Sequence, residues 1–340
     1  MRFGFHPLTD LNSPKKMLRE SVEAERSDFS ELYYADHFHP WSSLAQGTSF
    51  AWTLIASAAE RTRKVRIGTA VTCPMLRYNP AIVAQAFATL AATYEGRIFL
   101  GVGTGEALNE VPVGYKWPNG KERLEMLEES ILIMRKLWTG EYATFEGKHY
   151  SIKEAKLFTI PSEPIPLYVS AFGPKAANIA GRMGDGWITG NLPDEYLKHV
   201  MIPSFENGIR SRETEGTISS PKSGRAEKIA ELLMSYDEDY EKAVEACLPI
   251  AGTLSPAVFK NSIIDPREIK AQADSLDKKL IGERLIATDN FEKIIKAIEK
   301  FGRLGFDCVE IASLSPNNSR FLTLFKEKAM PVFYSGEHRN

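Results

Sequence analysis

The segment Asp36-His37-Phe38-His39-Pro40-Trp41 sets an imidazole beside a carboxylate directly after an apolar run, Leu32 to Ala35. Imidazole titrates near neutrality and a neighbouring group can fix its tautomer, so His37 is a candidate general base. A structural histidine closing a strand is the alternative. His37 and His39 also make a His-x-His pair, as in some barrel metal sites, where a third histidine and an aspartate arrive from later strands. Here His149 falls in an expected hairpin, His199 on an exposed helix and His338 in the tail, so no metal is expected.

The run Gly101-Val102-Gly103-Thr104-Gly105-Glu106-Ala107-Leu108-Asn109-Glu110 is close to the Gly-x-Gly-x-x-Gly turn that cradles a pyrophosphate, but Glu106 takes the third glycine's slot. A carboxylate there repels a pyrophosphate, which argues against a nicotinamide site. The glycines instead let a planar ligand approach the backbone, with Glu106 as an acid, hydrogen-bond donor or proton relay. A glycine-rich turn with a solvated glutamate is the alternative. Gly68 to Pro74 and Ser170 to Pro174 place small residues after two more apolar runs, opening space for a flat aromatic cofactor. Cys73 has no neighbour that marks a nucleophile and reads as structural.

These segments need strands to carry them. Short apolar runs at Arg2 to Phe5, Leu32 to Ala35, Val65 to Thr69, Ile98 to Val102, Pro166 to Ala171, Gly186 to Ile188, Ile229 to Tyr236 and Cys308 to Ala312 alternate with stretches of helical period. Ser13-Pro14 and Asn79-Pro80 read as capped helix entries. Leu124, Leu127, Ile131, Met134 and Trp138 form one apolar helical stripe, and Phe291, Ile294, Ile295, Ile298 and Phe301 another. Eight such strands, each feeding a helix, indicate an α/β fold of the TIM (β/α)8 barrel type; pattern alone leaves an open doubly wound sheet as the alternative. Thr144 to Tyr150 reads as a hairpin, Arg210 to Gly224 as an exposed loop and residues around 251–280 as an insertion. One domain over 1–340 is expected.

The 340 residues are 43% hydrophobic and 25% charged, with 42 Lys+Arg against 44 Asp+Glu and a formal net charge of −2. That balance, without a dense basic run, argues against nucleic-acid and membrane-surface partners and for a small-molecule substrate. The three cysteines are far apart and make no Cys-x-x-Cys pair, which suits a reducing compartment. With neither a signal-like nor a membrane-spanning stretch, the expected location is the cytoplasm.

The segments Asp36 to Trp41, Arg77-Tyr78-Asn79-Pro80-Ala81-Ile82-Val83-Ala84-Gln85-Ala86-Phe87-Ala88-Thr89 and Gly101 to Glu110 carry a further inference. Through them the chain resembles the bacterial-luciferase-like superfamily over nearly its whole length, in the branch that uses the deazaflavin coenzyme F420. It is similar there to the F420-dependent glucose-6-phosphate dehydrogenases and secondary alcohol dehydrogenases. The resemblance implies a TIM barrel with an insertion, a homodimer, and deazaflavin at the C-terminal rim. It implies His37 as base for the substrate hydroxyl, Trp41 as the indole steadying the transition state and Glu106 as the acid beside the ring. A non-prolyl cis bond is implied at Ala70-Val71. Cofactor contacts are implied at Asp36, Ala70, Val71, Cys73, Thr104, Gly105, Asn109, Phe172, Gly173, Lys175 and Ala176, and substrate contacts at Asp10, Thr189, Lys260 and Arg284.

The expected reaction is hydride transfer between a CH–OH carbon and C5 of the deazaflavin. Sugar-phosphate members hold the phosphate with two lysines and an arginine. Here Lys260 matches one lysine, Gly190-Asn191-Leu192-Pro193 offers no cation for the other, and Arg284 is displaced by one residue. Phe38-His39-Pro40-Trp41, Thr72-Cys73-Pro74 and Glu110-Val111-Pro112-Val113 look more like the alcohol dehydrogenases. A secondary alcohol or similar hydroxyl compound is therefore the expected substrate, with glucose-6-phosphate the alternative and a flavin-dependent monooxygenase a more distant one. The methylene-tetrahydromethanopterin reductases of the superfamily lack the His-Phe-x-Pro-Trp segment.

Overall fold

The computed structural model describes residues 1–215 and 225–334. Its strands are β1 (Arg2–His6), β2 (Glu31–Tyr34), β3 (Arg66–Thr69), β4 (Ile98–Val102), β5 (Ala143–Glu146), β6 (Ser151–Ala155), β7 (Leu167–Ser170), β8 (Gly186–Thr189), β9 (Glu227–Tyr236), β10 (Ala287–Thr288) and β11 (Cys308–Ser313). They fall in two compact units, Met1–Val65 with Lys228–Asn340, and Arg66–Glu227. The first unit orders its strands β10-β9-β11-β1-β2, all parallel. The second orders β3-β4-β7-β8, again all parallel. Strands covered on both faces lose the two-residue alternation, and β2, β4, β8 and β11 are buried at every position.

Each of β1, β2, β3, β4, β7, β8, β9 and β11 leads into helix before the chain ends or the next of these strands begins. Eight such repeats make this the (β/α)8 barrel class that the alternation indicates. The helix entries show how local sequence sets them. Asn79 accepts a hydrogen bond from the Ala81 amide at 2.9 Å, with Pro80 in the first turn of helix Pro80–Thr93. Ser13 holds the equivalent place before helix Pro14–Arg26 but makes no capping hydrogen bond, so the fixed φ of Pro14 is what suits that start. In helix Phe291–Arg303, Asn290 caps the Glu292 amide while Phe291, Ile294, Ile295, Ile298 and Phe301 are all buried. At roughly 1.5–3 kcal/mol per buried side chain, that face outweighs any intrinsic helix preference.

Helix Gly120–Leu137 buries more than the expected stripe. Met126, Ile133 and Leu137 join Leu127, Ile131 and Met134 in the interior, whereas Leu124 is half-buried and Trp138 lies just past the last turn. The Trp138 indole donates to the Ala84 carbonyl at 2.9 Å, tying this helix to Pro80–Thr93. The expected loop from Arg210 is helical as far as residue 215, within helix Ile202–Glu215; its remainder, 216–224, lies outside the described residues, as does His338. Residues 251–284 form four short helices, Ala251–Leu254, Pro256–Lys260, Pro266–Asp274 and Lys278–Arg284, the last two capped by Asp265 and Asp277.

β5 and β6 pair antiparallel as the expected hairpin. The Glu129 carboxylate accepts from the amides of Lys148, His149 and Tyr150 at its tip, at 2.8, 2.9 and 3.0 Å. The Tyr150 hydroxyl donates to the Met75 carbonyl.

Cys73, Cys247 and Cys308 are all buried and unpaired with one another. Burial pushes the Cys247 thiol up to about 12 and raises those of Cys73 and Cys308 as well. At pH 8 the native protein should leave all three thiols unreacted by Ellman's reagent over minutes, while guanidinium-unfolded protein releases three equivalents of chromophore; a fast native equivalent would contradict this burial. Between β3 and β4 the backbones approach so closely that a Cβ on Gly101 would overlap the Thr69 carbonyl oxygen. Gly101→Ala should cost roughly 1–3 kcal/mol, or more if the strands cannot separate, read as a lowered urea midpoint.

Candidate active site

In the second unit, the segments after β3 and β4 lie side by side. Thr72 donates its amide to the Gly101 carbonyl at 2.9 Å, and Gly103 returns its amide to Thr72 at 3.0 Å. The Ala70–Val71 peptide bond is cis. A Cβ on Gly103 would sit 2.8 Å from Val71 Cγ2. One on Gly105, whose φ is +71°, would sit 2.6 Å from Cys73 Sγ. The missing side chains therefore let this strip of backbone approach Val71 and Cys73, and the positive φ adds a second reason for glycine at 105. Ala70, Val71, Thr104, Gly105 and Glu106 are half-buried, whereas Thr72, Cys73 and Asn109 are buried.

Glu106 precedes the short helix Ala107–Glu110 and accepts a hydrogen bond from Asn109 Nδ2 at 3.1 Å. That bond orients the carboxylate and leaves it partly accessible. Beneath it, Glu110 is fully buried, accepts the Arg77 amide at 3.0 Å and lies 3.5 Å from Arg77 Nε. In the sequence Glu110 is only the last residue of the Gly101 to Glu110 run, with nothing to mark this role. Burial pushes the Cys73 thiol up and the Glu110 charge adds to it, which fits the structural reading of Cys73.

After β7, Phe172 is exposed while the Trp187 indole donates to the Ala171 carbonyl at 2.9 Å and fixes the strand end. Gly173 precedes helix Pro174–Met183, with Lys175 exposed and Ala176 half-buried in its first turn. A Cβ on Gly190 would lie 2.9 Å from the Phe172 ring, so the neighbour of Thr189 is kept small by that aromatic. Thr189 itself is buried at the end of β8, and its hydroxyl has no hydrogen-bond partner among the described residues.

In the first unit, β2 ends at Tyr34 and delivers Asp36, which is buried, and His37, which is half-buried. His37 Nδ1 lies 3.1 Å from the His39 carbonyl oxygen. A carbonyl only accepts, so Nδ1 carries the proton and, in the neutral ring, Nε2 is the basic nitrogen. His39 Nδ1 makes the same bond to the Ile264 carbonyl at 3.2 Å and ties this loop to the helical segment beyond Lys260. The Trp41 ring is buried between His37, at 5.3 Å, and Phe259, at 5.5 Å between centroids. Phe259 was not foreseen, because nothing in Val258-Phe259-Lys260 distinguishes a wall of the site from any exposed helix.

Asp10 is buried in the turn after β1, where Asn12 Nδ2 donates to the Pro7 carbonyl at 3.1 Å. Lys260 and Arg284 are the last residues of helices Pro256–Lys260 and Lys278–Arg284 and are both exposed. The first unit thus groups His37, Trp41 and the Phe259-Lys260 helix end, and the second groups Ala70, Val71, Cys73 and the Gly103 to Asn109 turn.

The family described as luciferase-like monooxygenase matches residues 1–308. The F420-dependent glucose-6-phosphate dehydrogenase of Intrasporangium calvum is 37% identical over 336 residues, covering 97% of this chain and 98% of its own. Its counterpart in Mycobacterium avium is 35% identical over 334 residues, covering 97% of each. A solved F420-dependent secondary alcohol dehydrogenase, in complex with an F420-acetone adduct, superposes with a TM-score of 0.90 at 37% identity, over 97% of this chain and 98% of that one. With a family match over most of its length and relatives of this identity, the chain belongs to the luciferase-like family.

Proposed function

We propose that this chain is an F420-dependent oxidoreductase moving a hydride between the carbinol carbon of a small secondary alcohol, or a similar hydroxyl compound, and C5 of the deazaflavin. The observation that carries the cofactor assignment is the strip at Gly103 and Gly105, where added side chains would meet Val71 and Cys73 and where Thr104 and Gly105 are half-buried. A planar ring fits such a surface. The family resemblance assigns the cofactor contacts to Asp36, Ala70, Val71, Cys73, Thr104, Gly105, Asn109, Phe172, Gly173, Lys175 and Ala176. When bound, the deazaflavin supplies the two-electron carrier.

The chain's own residues manage protons. His37 takes the hydroxyl proton at Nε2, since its Nδ1 proton is committed to the His39 carbonyl. Trp41, held between His37 and Phe259, keeps that imidazole from turning. Glu106, oriented by Asn109, delivers or receives the proton that balances charge on the cofactor side. Asp10 and Thr189 are assigned to the substrate. Assembly as a homodimer and a cytoplasmic location belong to the same proposal, the first on the family resemblance, the second on three unpaired cysteines. Among the described residues no helix is long and apolar enough to cross a membrane.

The names of the curated relatives favour a second reading, a glucose-6-phosphate dehydrogenase, in which exposed Lys260 and Arg284 bind phosphate. Oxidised F420 should lose its visible absorbance on addition of isopropanol and not of glucose-6-phosphate. Bleaching by the sugar phosphate alone, with a raised KM in Lys260→Ala, would establish the second reading instead. Replacing His37 by Ala should lower turnover by about 10²–10⁴-fold, the usual range for a lost general base, while F420 affinity measured by fluorescence stays within a few fold. Turnover retained in that variant would remove His37 from the mechanism.

A further inference from the structure

Three groups that the proposed reaction does not use meet inside the first unit. His6 ends β1, Glu231 lies in β9 and Glu310 in β11, and these strands are neighbours in the order β9-β11-β1. Glu310 is in register with Glu231 on one side and Gly4 on the other. Paired residues share a face and side chains alternate with period two, so His6, two residues beyond Gly4, projects to the same side as both carboxylates.

His6 Nδ1 lies 3.0 Å from Glu310 Oε1 and 3.5 Å from Glu231 Oε1, and the three potential ligand atoms all fall within 4.8 Å of one another. Glu310 is fully buried, and among the described residues neither its carboxylate oxygens nor the ring nitrogens of buried His6 have a partner in hydrogen-bond geometry, His6 meeting the two carboxylates only at ion-pair distance. Close approach without hydrogen-bond alignment is what lone pairs aimed at a common point look like. Metal–ligand bonds of about 2.1 Å place neighbouring ligand atoms about 3.0 Å apart at right angles and about 3.4 Å apart in a tetrahedron, close to the 3.0 and 3.5 Å found here.

We propose that His6, Glu231 and Glu310 form a binding site for one divalent first-row transition cation of the zinc, cobalt or manganese kind. One imidazole and two carboxylates suit these ions better than calcium, which prefers six or more oxygens, or copper(I), which prefers sulfur. Two carboxylate charges are balanced by one divalent ion, whereas a single proton on His6 leaves a net negative charge in the interior. Glu231 keeps 27% of its side chain exposed, giving the ion a way in and water a place to complete the coordination. The ion would bridge β9, β11 and β1, whose members come from opposite ends of the chain.

The test uses tag-free, chelator-treated protein at pH 8, where protons compete for the ligands less than at neutrality. After incubation with Zn²⁺ or Co²⁺ and gel filtration, about one equivalent of metal per chain should remain, with visible Co²⁺ d–d bands and a raised melting temperature. His6→Phe and Glu310→Gln should each lose the bands and weaken Co²⁺ binding at least tenfold. Should those buried variants fail to fold, Glu231→Gln, at the accessible ligand, should keep its circular dichroism spectrum and still bind Co²⁺ at least tenfold more weakly. Wild-type protein that retains no metal, or undiminished affinity in the folded variants, would mean that the cluster holds only a shared proton.

Discussion

The second unit is organised by backbone packed on backbone where β3 and β4 end. The Gly101 carbonyl accepts both the Thr69 hydroxyl and the Thr72 amide, and no side chain at 101 could fit under the Thr69 carbonyl. From that closure the chain must step outward through Gly103 and Gly105 with Val71 and Cys73 directly beside it. Buried Glu110 then takes the Arg77 amide and joins the two loops again below. Behind the half-buried face at Ala70, Val71, Thr104 and Gly105 lie these committed backbone groups.

The first unit reaches comparable precision with side chains rather than glycines. Asp36 is buried and Trp41 is packed on two rings, so the loop after β2 has fixed points on both sides of His37. His39, which sequence reading set aside with the metal alternative, holds both ends of the arrangement. Its carbonyl sets the His37 tautomer and its own Nδ1 bonds to Ile264. A residue two places along the chain thus fixes which ring nitrogen of His37 carries the proton.

Much of this was legible in the sequence where a rule acts locally. The strand runs, the Asn79-Pro80 entry, the Phe291 to Phe301 stripe and the Thr144 to Tyr150 hairpin depend on neighbours a few residues apart, and each is an element of the structure. Ser13 misled because Pro14 alone suits a helix start, so a hydroxyl in the cap position need not bond. Arg210 onward misled because a polar helix end has a loop's composition. Among candidate site residues, those in low-degeneracy motifs such as His37 and Glu106 stood out, whereas Phe259 is an unremarkable side chain whose partner is set by tertiary packing. The convergence of His6, Glu231 and Glu310 depends on the register of three strands far apart in the chain, which no local pattern encodes.

The hairpin β5–β6 has the look of an appendage, polar and carried on the surface, with Gly147-Lys148 at its tip. Exposed tips of that kind are ordinarily the first choice for grafting a peptide, a fluorophore or a fused domain. Here the tip amides are gathered on one carboxylate of helix Gly120–Leu137, and Tyr150 reaches from the next strand's approach to the carbonyl of Met75, two residues beyond Cys73. The hairpin is therefore a brace for the loop after β3, and cargo inserted at its tip would act on the chemistry even though it sits on the outside of the molecule.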